Sequence, residues 1–311
     1  MSIWDTVDKV RQEKARVRNG KLNIVDNSVV KENETRKKDT KEKEQDLQNV
    51  PDLIVDVVLM TAVEDEYIAA RKIFRNIYAE HFENGFKYSL VNCEIIDGVN
   101  IVLAIFRQNN MGLVSASMTA TYALNKFNPK LLLMCGVCAG VEGKANLGDL
   151  VIFSPVYDYG SGKYSSGQFF PDYRQRQING EVRPIVEEMC CDTNLKREIK
   201  DAWENQVGKP DTELNIHIYP AGSGAAVITD ESVMKELQTH QRTLGAIDME
   251  SYAIAEVANA AMTKEIPWLV VKGVQDFATP LKNDRYREYA AYVSCVFAKK
   301  FLEKFHLIEK E

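Results

Sequence analysis

The sequence predicts an α/β protein, and three observations carry that prediction. Apolar runs at 56–63, 130–135 and 267–274 are almost unbroken, the mark of strands buried on both faces. Helical patterns stand between such runs, so strands and helices alternate along the chain. Two late runs end in a carboxylate: Ala246-Ile247-Asp248-Met249-Glu250-Ser251 and Val270-Val271-Lys272-Gly273-Val274-Gln275-Asp276-Phe277. In an open α/β sheet, ligands bind beyond the carboxyl ends of the strands, so Glu250 and Asp276 mark one functional edge.

Residues 1–52 stand apart as a charged N-terminal segment, with the folded domain spanning 53–311. Ile3, Trp4, Val7 and Val10 share one face of a short helix with Ser2 as N-cap. From Lys31 to Gln45 charge dominates, and so little apolar surface does not offset the entropy of ordering. The segment is expected to be flexible, with the Trp4 helix as a docking element for a protein partner. After strand 56–63, Glu64-Asp65-Glu66 open a helix to 74, where acids suit the helix dipole. Strands at 86–96 and 100–107 turn at Asp97-Gly98, and a small-residue helix runs from Met111 to 125.

Strand 130–135 ends in Gly136-Val137-Cys138-Ala139-Gly140, read as a turn where backbone approaches a ligand. A strand from 148 leads to Tyr157-Asp158-Tyr159-Gly160-Ser161-Gly162-Lys163. Residues 164–180 lack a period and read as a loop or lid, and 183–207 as a helix. A strand at 216–219 precedes Gly222-Ser223-Gly224-Ala225-Ala226-Val227-Ile228, and Asp230 caps a helix at 231–238. Strand 244–249 feeds an Ala-rich helix at 250–262, and the closing helix at 284–305 carries Tyr286, Tyr289, Tyr292, Val293, Phe297 and Phe301 on its apolar stripe.

Composition narrows the function. The 311 residues carry a net charge of -6, which argues against nucleic acid as a partner. No apolar run approaches the roughly 20 residues of a membrane span, and the N-terminus lacks the apolar core of a secretory signal. A cytoplasmic protein is expected, with Cys93, Cys135 and Cys295 as buried thiols. Cys135-Gly-Val-Cys138 has no second ligand pair and the histidines are scattered, so neither a metal nor a cofactor is expected. There is no GxSxG elbow, Walker loop or GxGxxG turn.

What remains is Glu66, Glu250 and Asp276, each near a strand end, with Asp149 and Asp248 reading as turn formers and caps. Around them, Thr61-Ala62-Val63-Glu64-Asp65-Glu66, the Gly136-to-Gly140 run with Leu147-Gly148-Asp149, Ser223-Gly224-Ala225-Ala226-Val227-Ile228, Asp248-Met249-Glu250-Ser251 and Gln275-Asp276 follow one another in a familiar order. Over about residues 54–305 the chain resembles the purine nucleoside phosphorylase superfamily, above all its methylthioadenosine/S-adenosylhomocysteine nucleosidases. That resemblance implies a single three-layer domain with a mixed, barrel-like central sheet, assembled as a homodimer or higher homo-oligomer, acting on a small purine nucleoside or nucleotide.

The resemblance also implies roles. Glu66 matches the water-activating glutamate, and Met249 and Glu250 match the pair that holds the ribose. Asp276 matches the acid that protonates purine N7. Val227 and Ile228 match the strand whose backbone reads the base edge, and Val137 lies in the turn under the ribose. The chemistry agrees, because breaking an N-glycosidic bond needs an acid at the base, a base for water and a grip on the sugar.

The first strand end separates hydrolysis from phosphorolysis. Phosphorylases of the superfamily carry a Gly/Pro/Arg phosphate loop there, whereas this chain has glutamates, which repel phosphate and suit water activation. Phosphorolysis and a catalytically weak nucleotide-sensing module are the alternatives. Departures bear on the substrate. Gln275 stands where the nucleosidases usually have serine, Ala225 replaces an aspartate and Val137 a serine. The Gly-Ser-Gly-Lys loop and the segment 282–291 look like phosphorylase-like domains of bacterial signalling and antiviral-defence proteins, some of which hydrolyse adenine nucleotides. Lys163, with Arg107 and Arg174, is then expected near a 5′ phosphate, against the ordinary alternative that Lys163 points to solvent.

Overall fold

A computed structural model describes residues 54–96, 98–261, 265–280 and 283–305. The charged segment 1–52 and its Trp4 helix lie outside the described residues.

Strand β1 (Val57–Thr61) is buried at every position, as its VVLMT sequence requires of a strand covered on both faces. It pairs in parallel with β4 (Val99–Arg107) on one side and β5 (Leu131–Gly140) on the other. Beyond β4 lie β3 (Phe86–Ile96) and β2 (Ile77–Glu83), both antiparallel to their neighbours. On the other flank β11 (Trp268–Asp276) runs parallel to β5, and β6 (Leu150–Asp158) antiparallel to β11. β9 (Ile216–Ser223) and β10 (Ala246–Asp248) follow in parallel. The nine-stranded order is β10-β9-β6-β11-β5-β1-β4-β3-β2, a mixed sheet.

β10 also pairs antiparallel with the end of β5, Ala246 opposite Gly140 and Ile247 opposite Ala139. Strands β5, β11, β6, β9 and β10 therefore close into a ring, which is the barrel-like part of the sheet. Helices form the outer layers. α1 (Glu64–Ile73) packs on α7 (Arg287–Lys304), which lies on β11 and β5. α2 (Leu113–Phe127) packs on α6 (Ser251–Asn259), which lies on β6, β11, β5 and β9. α7 is buried beyond its aromatic stripe, because Ala290, Ala291, Cys295 and Ala298 are also covered.

Four local readings change. Residues Gly136 to Gly140 are not a turn but the second half of β5, which passes from pairing with β11 to pairing with β10. Residues 164–180 are not an irregular lid throughout, since β7 (Gly162–Ser165) and β8 (Gln168–Pro171) form a hairpin. Its turn places Ser166 and Gly167 at φ +51° and +77°, as two-residue hairpins need. The helix expected over 183–207 is two, α3 (Arg183–Cys191) and α4 (Thr193–Asp201). Asp192 breaks it by turning its carboxylate onto the amides of Asn194 and Leu195. The half-buried strand β2 had been missed. Asp230 caps α5 (Glu231–His240) as expected, accepting from the Ser232 amide.

Candidate active site

A cavity of about 280 Å³ opens where β1, β5, β10 and β11 end. Glu66, Val137, Val227, Ile228, Met249, Glu250, Gln275 and Asp276 all line it. Residues far apart in the chain meet here because β1, β5 and β11 run parallel and bring their carboxyl ends to one rim, which the antiparallel β10 joins through its pairing with the end of β5. Lys163 is not brought to this cavity. It is exposed and lines a separate pocket with Arg174 and Tyr252. Arg107 is also elsewhere, 2.7 Å from Glu64 in a half-exposed ion pair.

Glu66 stands in the first turn of α1 but does not face solvent, with 2% of its surface exposed. Its Oε2 accepts from the amides of Ala62 (2.6 Å) and Val63 (3.2 Å), and Oε1 from Val137 (2.8 Å). Gly136 makes room for it, since any Cβ there would collide with the Glu66 carboxyl. Three backbone donors use most of the roughly four acceptor sites of a carboxylate and leave one direction for a water.

The β10–α6 junction separates two acids by their jobs. Asp248 accepts from Ser223 Oγ (2.7 Å) and the Ser251 amide (3.2 Å), and also bonds Ser251 Oγ. It holds the turn, as its reading as a cap implied. Glu250 is the N-cap of α6 yet makes no side-chain cap bond. Its carboxyl turns into the cavity instead, where Oε1 accepts from the Gly112 amide at 2.8 Å. Gly112 takes φ +106°, which favours glycine and aims that N–H across the site. Burial is the main cause that pushes Glu250 up to about 7. Lys272 pulls the other way, and the charges of Asp248 and Glu66 add to the rise.

Lys272 was not foreseen. It is fully buried in β11, with Nζ 3.6 Å from Asp248, 3.9 Å from Glu250 and 4.0 Å from Glu66. Burial works against its charge, but attraction to Glu66, Asp248 and Glu250 outweighs it and holds the ammonium above its ordinary range. One cation thus ties together three acids from two ends of the chain. The available signal was a lysine inside the apolar run Val270-Val271-Lys272-Gly273-Val274. A buried cation of this kind requires paired anions.

Asp276 closes β11, 8% exposed, and accepts from the Ala278 amide (2.8 Å) and Gln275 Nε2 (3.0 Å). Gln275 Oε1 has no partner among the described residues. Val227 and Ile228 are not on a strand, since β9 ends at Ser223, but they line the same cavity. Asp284 and Arg287, also missed in the sequence, complete the wall. Cys138 lines the cavity too, but burial raises its thiol, so it is not a thiolate nucleophile. No group of His, Cys, Asp and Glu among the described residues forms a metal site.

Residues 56–303 match the family model described as the phosphorylase superfamily. The chain belongs to the phosphorylase superfamily. Within it, the chain is 34% identical over 206 residues to an uncharacterized protein of Sinorhizobium fredii, covering 65% of this chain and 49% of that one. It is 23% identical over 261 residues to the ATP nucleosidase Cap17 of Escherichia coli, 79% of this chain and 51% of that one. It thus spans about half the length of these relatives. A 5'-methylthioadenosine/S-adenosylhomocysteine nucleosidase of Maridesulfovibrio salexigens is 25% identical over 181 residues, covering 58% of this chain and 70% of that one. In fold, the chain is similar to the Helicobacter pylori nucleosidase of that name, with TM-score 0.64, 14% identity, and 81% and 99% of the two chains covered. The Helicobacter pylori structure thus shares the fold described above.

Proposed function

We propose that the chain hydrolyses the N-glycosidic bond of an adenine nucleoside or nucleotide and releases the free base. The observation that carries this reading is three buried carboxylates on one cavity wall, each with a different set of partners. Asp276, beside Gln275 and in the same cavity as Val227 and Ile228, acts as the acid at the base. The unpartnered Gln275 Oε1 is suited to accept from an exocyclic amine. Glu250 grips the ribose hydroxyls. Glu66, pinned by three amides, holds and activates the attacking water. As the bond breaks, positive charge develops on the sugar. The excess of carboxylates over Lys272 in this buried cluster favours that charge.

Nucleosidases among the relatives, the Cap17 ATP nucleosidase included, support hydrolysis as the reaction. The acids at the β1–α1 junction support it independently, since Glu64, Asp65 and Glu66 repel a phosphate nucleophile. Adenine release with and without inorganic phosphate tests the choice. Equal rates are expected, and a strict phosphate requirement would make the enzyme a phosphorylase.

A further inference from the structure

Among the described residues that line the cavity, Arg287 is the one with a positive side chain. It opens α7, with Nε 3.6 Å from Asp65 and Nη1 3.2 Å from Asp284. Nε is shielded from solvent yet has no hydrogen-bond partner among the described residues. The Asp65 carboxylate sits just beyond hydrogen-bond reach of Nε, and with 27% of the side chain exposed the guanidinium fork stays open to an acceptor from a ligand. The two ion pairs do not supply it. Asp65 and Asp284 side chains are 46% and 75% exposed, and exposed pairs of this kind are weak.

The remaining wall is spoken for. On the proposed reading Asp276 and Val227 serve the base, and Glu250 serves the ribose. Val63, Met111, Asp284 and Arg287 then remain on the lining for a 5′ substituent. We propose that Arg287 is the specificity residue for that substituent and selects a nucleoside 5′-phosphate over a neutral nucleoside. This rests on the reading of the cavity as a purine N-ribosyl site. A guanidinium fork matches phosphate oxygens with two parallel donors, stronger than either ion pair it would give up. Asp65 and Asp284 hold the guanidinium in place. The other charged groups lining the cavity are acidic and repel phosphate, so acceptance of a nucleotide depends on this single side chain. The cation foreseen at Lys163 is thereby replaced by one the cavity contains.

Adenine release by the full chain from adenosine, methylthioadenosine, AMP and ATP tests it, using the wild type, Arg287→Gln and Asp284→Asn. The wild type is expected to prefer a phosphorylated substrate over adenosine in kcat/KM by about tenfold or more, a preference that salt weakens. Arg287→Gln should cut that ratio by about tenfold or more, chiefly through KM. Asp284→Asn removes a competing anion and should raise the ratio. A wild-type ratio near one, or an Arg287→Gln loss equal for all four substrates, would overturn the assignment. No adenine from any substrate, with a cooperative melt intact, would overturn the hydrolase reading itself and this inference with it.

Discussion

Glu250 shares the Lys272 ammonium with Asp248 and Glu66, and burial pushes it up to about 7. Its two forms bind a ribose differently. Only the ionised carboxylate accepts from both hydroxyls, so KM is expected to fall as pH rises through about 7. Glu250→Gln should flatten that profile, which steady-state kinetics on either side of that pH will read. Stability has the opposite sign. The folded state keeps a proton that the unfolded chain releases above its ordinary value of 4.5. Stability from this group is therefore complete below pH 4.5 and is lost as pH rises through about 7. The wild-type melting temperature should fall relative to Glu250→Gln across that window. Asp276→Asn should lower turnover by at least about 10²-fold with little change in melting, because an amide can still accept from Ala278. Glu66, Glu250 and Asp276 were legible because each follows an apolar run by a few residues. The Gly112 amide was not, since its partner Glu250 lies 138 positions away.

At the scale of the element, β5 and β11 hold the site through one glycine and one lysine. Gly136→Ala would drive a Cβ into the Glu66 carboxyl. Overpacking of this kind typically costs about 1–3 kcal/mol, and here stability and turnover should fall together, as urea melts and base release will show. Lys272→Met would leave three buried acids without the cation they share. Removing one partner of such a network costs about 3–5 kcal/mol, and the loss should shrink in acid as the carboxylates protonate. Denaturant midpoints at neutral and acidic pH check that. Element types were mostly visible in the sequence because the core strands are unbroken apolar runs. The hairpin β7–β8 was hidden because both strands are largely exposed and carry no alternation. β2 was hidden because its alternation is half-buried polar and apolar residues at a sheet edge. Gly136 looked like a turn because glycine there serves a carboxylate and not a bend.

For the molecule as a whole, alternation of strands and helices was enough to predict the α/β class. The closed ring was not readable from local pattern, because it depends on β10 reaching back to β5 across more than a hundred residues. Only the resemblance of the ordered motifs anticipated a mixed, barrel-like sheet. The site inherits that division. Its acids follow from strand ends, while the cation that unites them and the arginine at its mouth depend on which strands become neighbours. One cavity is thus assigned one reaction. The most direct measurement is the release of adenine and free sugar from adenosine and AMP in phosphate-free buffer, for the wild type and Asp276→Asn. Phosphate-independent release by the wild type is expected, with a loss of at least about 10²-fold in the variant. Release that requires phosphate, or that survives Asp276→Asn unchanged, would contradict hydrolysis at this cavity.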